Sequence, residues 1–336
     1  MARETKVLFS SPGQAELVDD DEFDGKELAP NEIEGKTLFT LVSAGTELNL
    51  YLGNYQNNNQ AWGRLPLVPG YAAVFEVERT GSGVHGLKPG DLAFCHGKHR
   101  SRQRVNVDNT LAVPDGLPAE HAPFARMMNV TMSTLTTTRA RPPGKVLVTG
   151  LGQVGLLGAL VFQLCGYDVY AFDPVEARRE VATRAGLRKV LAEVSLDSPE
   201  LAGQVDLVLE CSGHEQAILD GCMIAGDGAE IVVVGVPMLR KTEIYAQEIL
   251  ILLFRKFLTL RGGKEQRLPA RATQFERNTM FGNQKAGLDW MAAKQIVVDD
   301  MYTKISPEEA QRVYQDLLNQ RSPKLSYMFD WSELRG

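Results

Sequence analysis

The sequence predicts an α/β protein with a doubly wound parallel sheet and a separate β-rich domain. Three observations support this fold class. Residues 145–173 read as strand, glycine-rich turn, helix, second strand and acid. Strand-like and helix-like segments then alternate as far as about residue 263, as in a doubly wound sheet. The first third of the chain instead contains short strands and turns without a long helical period.

The segment 145–173 has the order of a dinucleotide-binding unit. The run from Val146 to Thr149 is apolar and β-branched, which predicts a buried strand. The next six residues have the spacing G-x-G-x-x-G. Strong helix formers follow, and a second strand from Tyr167 to Phe172 ends at Asp173, roughly 20 residues after the glycines. This combination predicts a Rossmann sheet.

Each position of the glycine motif has a physical task. Gly150 permits the tight turn, and Gly152 lets the backbone approach a pyrophosphate. Gly155 allows the helix to pack closely on the strand. Gln153 and Val154 lie at the start of the helix, where free N–H groups and the helix dipole favour phosphate.

Asp173 indicates which dinucleotide binds. Its carboxylate would accept hydrogen bonds from the adenosine ribose hydroxyls and would repel a 2′-phosphate. The repulsion between two like charges at this range disfavours NADP by roughly tenfold or more. We therefore expect NAD as the cofactor.

The composition argues against several classes of function. The chain has 336 residues, enough for two domains, and a net charge of −6 without a basic patch, which argues against a nucleic-acid partner. No stretch approaches about 20 uncharged apolar residues and the start lacks an apolar signal core, so we expect a cytoplasmic protein without a membrane span. The four cysteines are scattered and suggest neither a disulfide framework nor a metal site.

The segments outside the alternating region predict the domain boundaries. Strands are expected at Thr37 to Val42, Ala72 to Arg79, Leu92 to Cys95, Gln103 to Val107 and Thr110 to Val113. In the tail, a helix that ends at Leu318 precedes a strand from Lys324 to Phe329. A β-rich first third that is completed by the tail is a discontinuous domain. We expect residues 1–123 and 292–336 to form a β-rich catalytic domain and residues 124–291 an NAD-binding Rossmann domain.

Further motifs extend over the whole chain. They include LVPGY at 67–71, LKPGD at 87–91, VPDGL at 113–117, DLVLECSG at 206–213, IVVVG at 231–235 and RKFLTLRGG at 255–263. With the glycine loop, they resemble the motifs of the medium-chain dehydrogenase/reductase superfamily, the alcohol and polyol dehydrogenases. The resemblance implies a GroES-like fold for the β-rich domain. It also implies that Ser212, Val236 and Lys324 contact the nicotinamide and phosphates of the cofactor.

The chain departs from the zinc-dependent members of that superfamily. Ala44 stands where those members carry a cysteine ligand, and Tyr71-Ala72 stands where they carry a His-Glu pair. A third ligand expected near Met128 or Asn129 is missing, and the structural zinc lobe is replaced by the short loop 95–100. Alanine offers no lone pair, and a phenol is a poor zinc ligand. We therefore expect a member of the superfamily that binds no metal.

Without a metal, the proton of an alcohol substrate must pass to a side chain during hydride transfer. Thr46 matches the hydroxyl that relays protons in the zinc enzymes, and Tyr71 should point into the same space. The phenol would need a nearby cation, such as oxidised nicotinamide or Lys98, to act near neutral pH. His99 and His96 are alternatives because an imidazole has a pKa in the required range.

The surrounding residues leave two interpretations open. Glu47 is expected to be a structural carboxylate. Tyr51, Tyr55 and Trp62 belong to an asparagine-rich loop, which either covers a polyhydroxyl substrate or forms a surface turn.

The leading hypothesis is a zinc-independent, NAD-dependent dehydrogenase that oxidises a secondary alcohol, of sugar, cyclitol or polyol type, to a ketone. One alternative is a zinc-free enoyl or quinone reductase that uses NADPH, against which Asp173 counts. Another is a non-catalytic dinucleotide-binding protein that serves as a sensor or structural subunit. The resemblance also implies a homodimer or homotetramer assembled through the sheet edge near Ile231 to Val236.

Overall fold

The computed structural model describes residues 3–23, 27–55 and 63–334, which divide into two compact units. The first unit contains the chain up to Arg126, Leu288–Ala293 and the chain from Met301 onwards. The second unit contains Met127–Gly287 and Lys294–Asp300. The sequence predicts boundaries after residues 123 and 291. The corresponding boundaries in the structure follow Arg126 and Gly287, only a few residues away. The return of residues 294–300 to the second unit was not expected.

The strands in chain order are β1 (Thr5–Ser11), β2 (Gln14–Asp19), β3 (Glu32–Leu41), β4 (Ala73–Thr80), β5 (Leu92–Cys95), β6 (Arg102–Asn106), β7 (Thr110–Ala112), β8 (Lys145–Thr149), β9 (Asp168–Phe172), β10 (Val190–Leu191), β11 (Val205–Glu210), β12 (Ala225–Val233), β13 (Thr259–Gly262), β14 (Tyr302–Ile305) and β15 (Ser326–Asp330). The helices are α1 (Ala44–Tyr51), α2 (Phe124–Thr137), α3 (Gln153–Leu164), α4 (Glu176–Arg184), α5 (Glu215–Ile224), α6 (Ala246–Arg255), α7 (Met280–Ala292) and α8 (Ala310–Leu318).

The first unit is built on a seven-stranded sheet in the order β14-β15-β3-β4-β5-β7, with β6 also paired to β3. A separate antiparallel pair, β1 and β2, accompanies it. Apolar side chains of β1, α1, α8 and β15 form one core cluster, in which Phe9 packs edge-on against both Tyr51 and Tyr314. This cluster fixes α1, the short helix that carries Thr46.

The second unit is a six-stranded parallel sheet in the order β10-β9-β8-β11-β12-β13. Counted from β8, this is the order 3-2-1-4-5-6 of a dinucleotide-binding fold. The order in which the strands are added changes direction at this point: β9 and β10 extend the sheet on one side of β8, and β11 to β13 extend it on the other. Ligands of such sheets bind beyond the carboxyl ends of the strands between β8 and β11. The glycine loop and the segment from Cys211 to Gly213 follow these two strands. The predicted α/β fold class with a parallel Rossmann sheet and a β-rich domain is confirmed.

Four elements were not predicted from the sequence, namely β1, β2, α1 and β14. The most important for the site is α1, which has only eight residues. Its N-cap residue, Ser43, makes no side-chain capping bond. Instead, the backbone N–H of Ser43 donates to the carboxylate of Glu47 at 2.9 Å. A two-turn helix is too short to show an apolar period, and Glu47 follows Ser43 by four residues instead of the three of a capping box.

The predicted sheet edge near Ile231 to Val236 is wrong. Residues 231–233 belong to β12, which pairs with β11 on one side and β13 on the other. The edge strand is β13, because IVVVG forms an internal strand covered by RKFLTLRGG. Among the described residues, no helix combines the length and apolar composition that a membrane span requires.

Candidate active site

Three hydroxyl groups of the first unit meet at the start of α1. The phenol of Tyr71 is hydrogen-bonded to Oγ of Ser43 and lies 3.4 Å from Oγ1 of Thr46. Ser43 is buried, whereas Thr46 and Tyr71 are partly exposed. Tyr71 therefore reaches the space near Thr46, as the sequence predicted, and both hydroxyls are placed where a substrate oxygen could contact them. We call Ser43, Thr46 and Tyr71 the hydroxyl cluster.

The electrostatic environment of Tyr71 combines burial with a neighbouring cation. Burial raises the pKa of Tyr71 above its ordinary value of 10.0, while the positive charge of Arg126 opposes this effect. The guanidinium of Arg126 lies 4.8 Å from the centre of the Tyr71 ring. Tyr71 is therefore a protonated phenol near neutral pH. Arg126, rather than the expected Lys98, is the protein cation that affects it; Lys98 is exposed, and its charge lowers the pKa of Glu22.

The geometry of His99 argues against direct contact with a substrate. The ring is fully buried, and both of its nitrogens have protein partners. Nδ1 lies 2.7 Å from Oγ1 of Thr40, and Nε2 lies 3.0 Å from Oε2 of Glu47. We therefore treat His99 as a positioning residue and correct its expected catalytic role. His96, the other histidine of this loop, is partly exposed and packs near Phe94.

Glu47 is the buried carboxylate to which these groups are tied. Besides His99 and the N–H of Ser43, it accepts a hydrogen bond from the phenol of Tyr314 at 2.6 Å. Both Glu47 and Tyr314 are fully buried. The carboxylate beside it and its own burial raise the pKa of Tyr314 well above the ordinary value. The structure thus agrees with the expectation that Glu47 is structural.

The residues at the expected ligand positions do not fit a zinc ion. Ala44 and Ala72 have no donor atom, and Met128 is buried in the second unit. The side chain of Asn129 is fully buried and is bonded to Glu265 at 2.6 Å and to Asn283 at 3.2 Å. Within 3–23, 27–55 and 63–334, no group of three or more His, Cys, Asp or Glu residues could hold a metal ion. Alanine offers no lone pair, and a buried thioether or amide is a poor zinc ligand, so these positions do not provide a zinc ligand set.

The asparagine-rich loop contributes differently from what was expected. Tyr51 is fully buried, stacks on Tyr314 at 5.4 Å and donates a hydrogen bond to the carbonyl of Gly13. It is therefore a core residue and does not cover a substrate. Tyr55 is partly exposed. Trp62 lies outside the described residues.

The glycine loop of the second unit has room for a pyrophosphate. A Cβ on Gly152 would meet no atom within 4 Å, so its backbone faces open space. The adjacent side chain of Gln153 is buried, and its Nε2 has no hydrogen-bond partner among the described residues. An open backbone beside an unpaired buried donor at the start of α3 is what an anionic ligand requires. The cradle fits a dinucleotide phosphate.

The other two glycines of the motif are packed tightly. A Cβ on Gly155 would lie 1.9 Å from the carbonyl oxygen of Gly150. Gly150 has a φ of +88°, and a Cβ there would lie 2.7 Å from the amide nitrogen of Ser212. These contacts give the physical reason for glycine at both positions. They also bring the glycine loop against the segment that contains Ser212. Val154, which precedes Gly155 in the motif, is partly exposed in the first turn of α3.

Asp173 holds the glycine loop. Its Oδ2 accepts a hydrogen bond from the N–H of Leu151 at 2.8 Å and lies 3.3 Å from Nη1 of Arg178. Its Oδ1 accepts the N–H of Val175 at 2.9 Å. Only 1% of Asp173 is exposed. The acid is therefore at the end of β9 as predicted, with a cation beside it that the sequence analysis did not consider.

Ser212 and Val236 lie on adjoining loops after β11 and β12. The carboxylate of Glu210 accepts hydrogen bonds from the amides of Ser212 at 2.7 Å and Gly213 at 3.0 Å. Burial raises the pKa of Glu210. Val236 is 63% exposed, and its carbonyl would lie 3.1 Å from a Cβ on Gly213. Lys324 belongs to the first unit, in the loop before β15, and its contact with a cofactor stays a prediction.

Three residues of the site were not predicted from the sequence, namely Ser43, Arg126 and Glu210. One signal was available for Arg126, since it is the only charged residue in the sequence of α2. A single charge in an otherwise uncharged helix has to find a specific partner. Ser43 and Glu210 gave no such signal because their roles depend on backbone groups brought close by folding.

Comparisons with known proteins agree with this fold. A family profile described as zinc-binding dehydrogenase matches residues 153–276, which come after all the ligand positions discussed above. The L-threonine 3-dehydrogenase of Pyrococcus horikoshii is 28% identical over 270 residues, covering 68% of this chain and 75% of that protein. Galactitol-1-phosphate dehydrogenase of Escherichia coli superimposes with a TM-score of 0.79 at 18% identity, covering 97% and 99% of the two chains. Acetophenone reductase of Geotrichum candidum, in complex with NAD, gives 0.78 at 16% identity, covering 99% of each chain.

Two glycine substitutions test the phosphate cradle. Gly152→Ala should fold with an unchanged melting temperature but bind NADH about tenfold more weakly or worse, because the methyl group fills the space of the phosphate. Gly155→Ala, the matched control, should lose about 1–3 kcal/mol of stability or fail to fold, because its methyl group collides with a carbonyl. NADH fluorescence titration and thermal unfolding measure the two effects. Wild-type NADH affinity in Gly152→Ala would show that the phosphates bind elsewhere.

Proposed function

Because this chain belongs to the medium-chain dehydrogenase/reductase superfamily, we propose that it is a zinc-independent, NAD-dependent dehydrogenase. It oxidises a secondary alcohol, of sugar, cyclitol or polyol type, to a ketone. The observation that carries the proposal is the hydroxyl cluster, in which Tyr71 stands at a position where the family resemblance places a zinc ligand and Ser43 and Thr46 flank another, Ala44. The second unit supplies a phosphate cradle, so the chain has the parts that hydride transfer requires.

The hydroxyl cluster handles the proton of the substrate. Thr46 orients the substrate hydroxyl, and Tyr71 exchanges the proton with it. In the direction of ketone reduction, the phenol donates its proton to the oxygen as negative charge develops there. In the direction of alcohol oxidation, the phenolate accepts the proton. When bound, the nicotinamide supplies the carbon that accepts or returns the hydride.

The preference for NAD rests on Asp173. A buried carboxylate at the end of β9 can accept hydrogen bonds from ribose hydroxyls and disfavours a second anion in the same place. Arg178, 3.3 Å from that carboxylate, is the one observation that favours the alternative of an NADPH-dependent reductase. A guanidinium there could also pair with a 2′-phosphate.

An activity assay distinguishes these functions. Chelator-treated protein is mixed with NAD or NADP and a panel of sugars, cyclitols, polyols, polyol phosphates and L-threonine, and reduction of the cofactor is followed. We expect turnover with NAD, at least about tenfold faster than with NADP. Activity on enones or quinones with NADPH alone would replace this proposal with the reductase. NADH binding without turnover on any substrate would favour a non-catalytic protein.

The pH dependence of the reaction tests Tyr71. The pKa of Tyr71 is raised above 10.0, so its phenolate fraction grows about tenfold with each pH unit below that value. We expect kcat/KM for alcohol oxidation to rise with the same slope from neutral pH to about pH 10. Tyr71→Phe should abolish the slope and lower the rate by about 10²- to 10⁴-fold. Tyr167→Phe, another tyrosine with a raised pKa, should keep the slope. A slope that persists in Tyr71→Phe would assign the base elsewhere.

We further propose that two copies of the chain pair along β13. Within the part of the chain that the structure describes, this edge strand pairs only with β12, and Leu250, Phe254, Phe257 and Leu260 around it are 60%, 83%, 79% and 37% exposed. An exposed apolar edge is a surface that a second copy covers by extending the sheet.

Light scattering measures this assembly. The wild-type protein should have the mass of a dimer or tetramer, and Phe254→Asp should reduce it towards one chain. Phe275→Asp changes another phenylalanine of the second unit that is 91% exposed, and it should leave the mass unchanged. A monomeric wild-type protein would contradict the proposal.

A further inference from the structure

Arg126 is a buried cation at the edge of the hydroxyl cluster. It lies in the first turn of α2, and only 8% of the residue is exposed. Its guanidinium stands over the ring of Tyr71 at 4.8 Å from the ring centre. The hydroxyl of the same ring contacts Ser43 and Thr46. One side chain therefore connects the cation to the place where we expect the substrate oxygen.

The burial of the positive charge of Arg126 carries a cost in free energy. Burial of a guanidinium is costly unless other groups compensate for its lost hydration. The face of a tyrosine ring provides partial compensation, and the attraction becomes stronger when the ring carries a negative charge. A phenolate spreads its charge from the oxygen into the ring. The cation consequently favours the deprotonated form of Tyr71 over the protonated form.

We propose that Arg126 supplies through Tyr71 the positive charge that a metal ion supplies in zinc-dependent relatives. This inference rests on the proposed function. During oxidation, the alcohol loses a proton to the phenolate oxygen of Tyr71 and a hydride, with its electron pair, to NAD, and the ketone is formed. Arg126 stabilises the phenolate from which this step begins. It acts on the reaction through Tyr71 and is therefore a positioning residue.

Glu47 is a second charged group that acts on Tyr71. The carboxylate of Glu47, in α1, opposes deprotonation of the phenol. Three hydrogen bonds hold that carboxylate, from the N–H of Ser43, from Tyr314 and from His99. The position of this carboxylate is therefore fixed, and its negative charge raises the pKa of Tyr71. Removal of Arg126 takes away one of the groups that lower the pKa of Tyr71, whereas burial and Glu47, which raise it, remain, so the phenolate becomes less favoured.

Substitutions of Arg126 test the inference with two measurements. Arg126→Met removes the charge and keeps an apolar stem; Arg126→Gln is the second neutral variant in case the first does not fold. Arg126→Lys keeps the charge. Arg271→Met is the control, because it removes another guanidinium that lies 4.0 Å over an aromatic ring, that of Phe281, in the second unit.

The first measurement is the pH profile of kcat/KM for alcohol oxidation. In the neutral variants we expect a rate about ten- to a hundredfold lower near neutral pH and a rising limb displaced to higher pH. Arg126→Lys should recover part of the rate and keep the limb near its wild-type position, and Arg271→Met should match the wild type. An equal loss in Arg126→Lys and Arg126→Met without displacement of the limb would show a merely structural residue and would overturn the inference.

The second measurement needs no turnover. The protein is labelled with ¹³C at the phenol carbon of its nine tyrosines, and Tyr71→Phe assigns the resonance of Tyr71. The pKa of Tyr71 should be higher in Arg126→Met than in the wild type. The same titration in both proteins, including no titration in either up to about pH 11, would overturn the inference. Absence of dehydrogenase activity alone would instead refute the proposed function, and the titration would still decide whether Arg126 controls Tyr71.

Discussion

Buried carboxylates hold the backbone of each loop that carries the candidate site. Glu47 accepts the N–H of Ser43, Asp173 accepts that of Leu151, and Glu210 accepts those of Ser212 and Gly213. The exposed fractions of the three acids are 0%, 1% and 0%. A hydrogen bond from an amide to a buried carboxylate contributes about 1.5–3 kcal/mol, and loss of the carboxylate leaves its amide partners unpaired. The positions of the functional side chains therefore depend on acids that need not touch a substrate.

In the first unit this arrangement orders the hydroxyl cluster. Hydrogen bonds to Glu47 fix the start of α1, and the hydroxyls of Ser43, Thr46 and Tyr71 converge there. His99, which as a free imidazole would compete for the substrate proton, is instead bonded on both nitrogens. Tyr71 lies under the guanidinium of Arg126: burial raises the pKa of its phenol, Arg126 and the hydroxyls of Ser43 and Thr46 lower it, and Glu47 raises it.

In the second unit, the proposed binding of a dinucleotide depends on the free space beside the glycine loop. Gly150 and Gly155 cannot carry a Cβ because it would collide with backbone atoms. A Cβ on Gly152 would meet no atom of the chain and would instead occupy the space proposed for a phosphate. The same sheet order that places these loops together leaves β13 as an exposed edge. The proposed cofactor binding therefore depends on the loops at the switch point of the sheet, whereas the proposed self-association depends on its edge strand.

The sequence by itself determined the parallel sheet, the glycine loop and the acid after β9, because these are local patterns in which spacing and residue type specify the backbone. It also placed Thr46 beside Tyr71 and removed the usual zinc donors. Only the tertiary structure decided that His99 and Tyr51 are buried, that Arg126 lies over Tyr71, and that β13 is the edge strand. These facts depend on contacts between residues far apart in the chain, and such contacts leave no periodic signal in the sequence. The single arginine of α2 shows this difference: its isolation was visible, but its partner was created by folding.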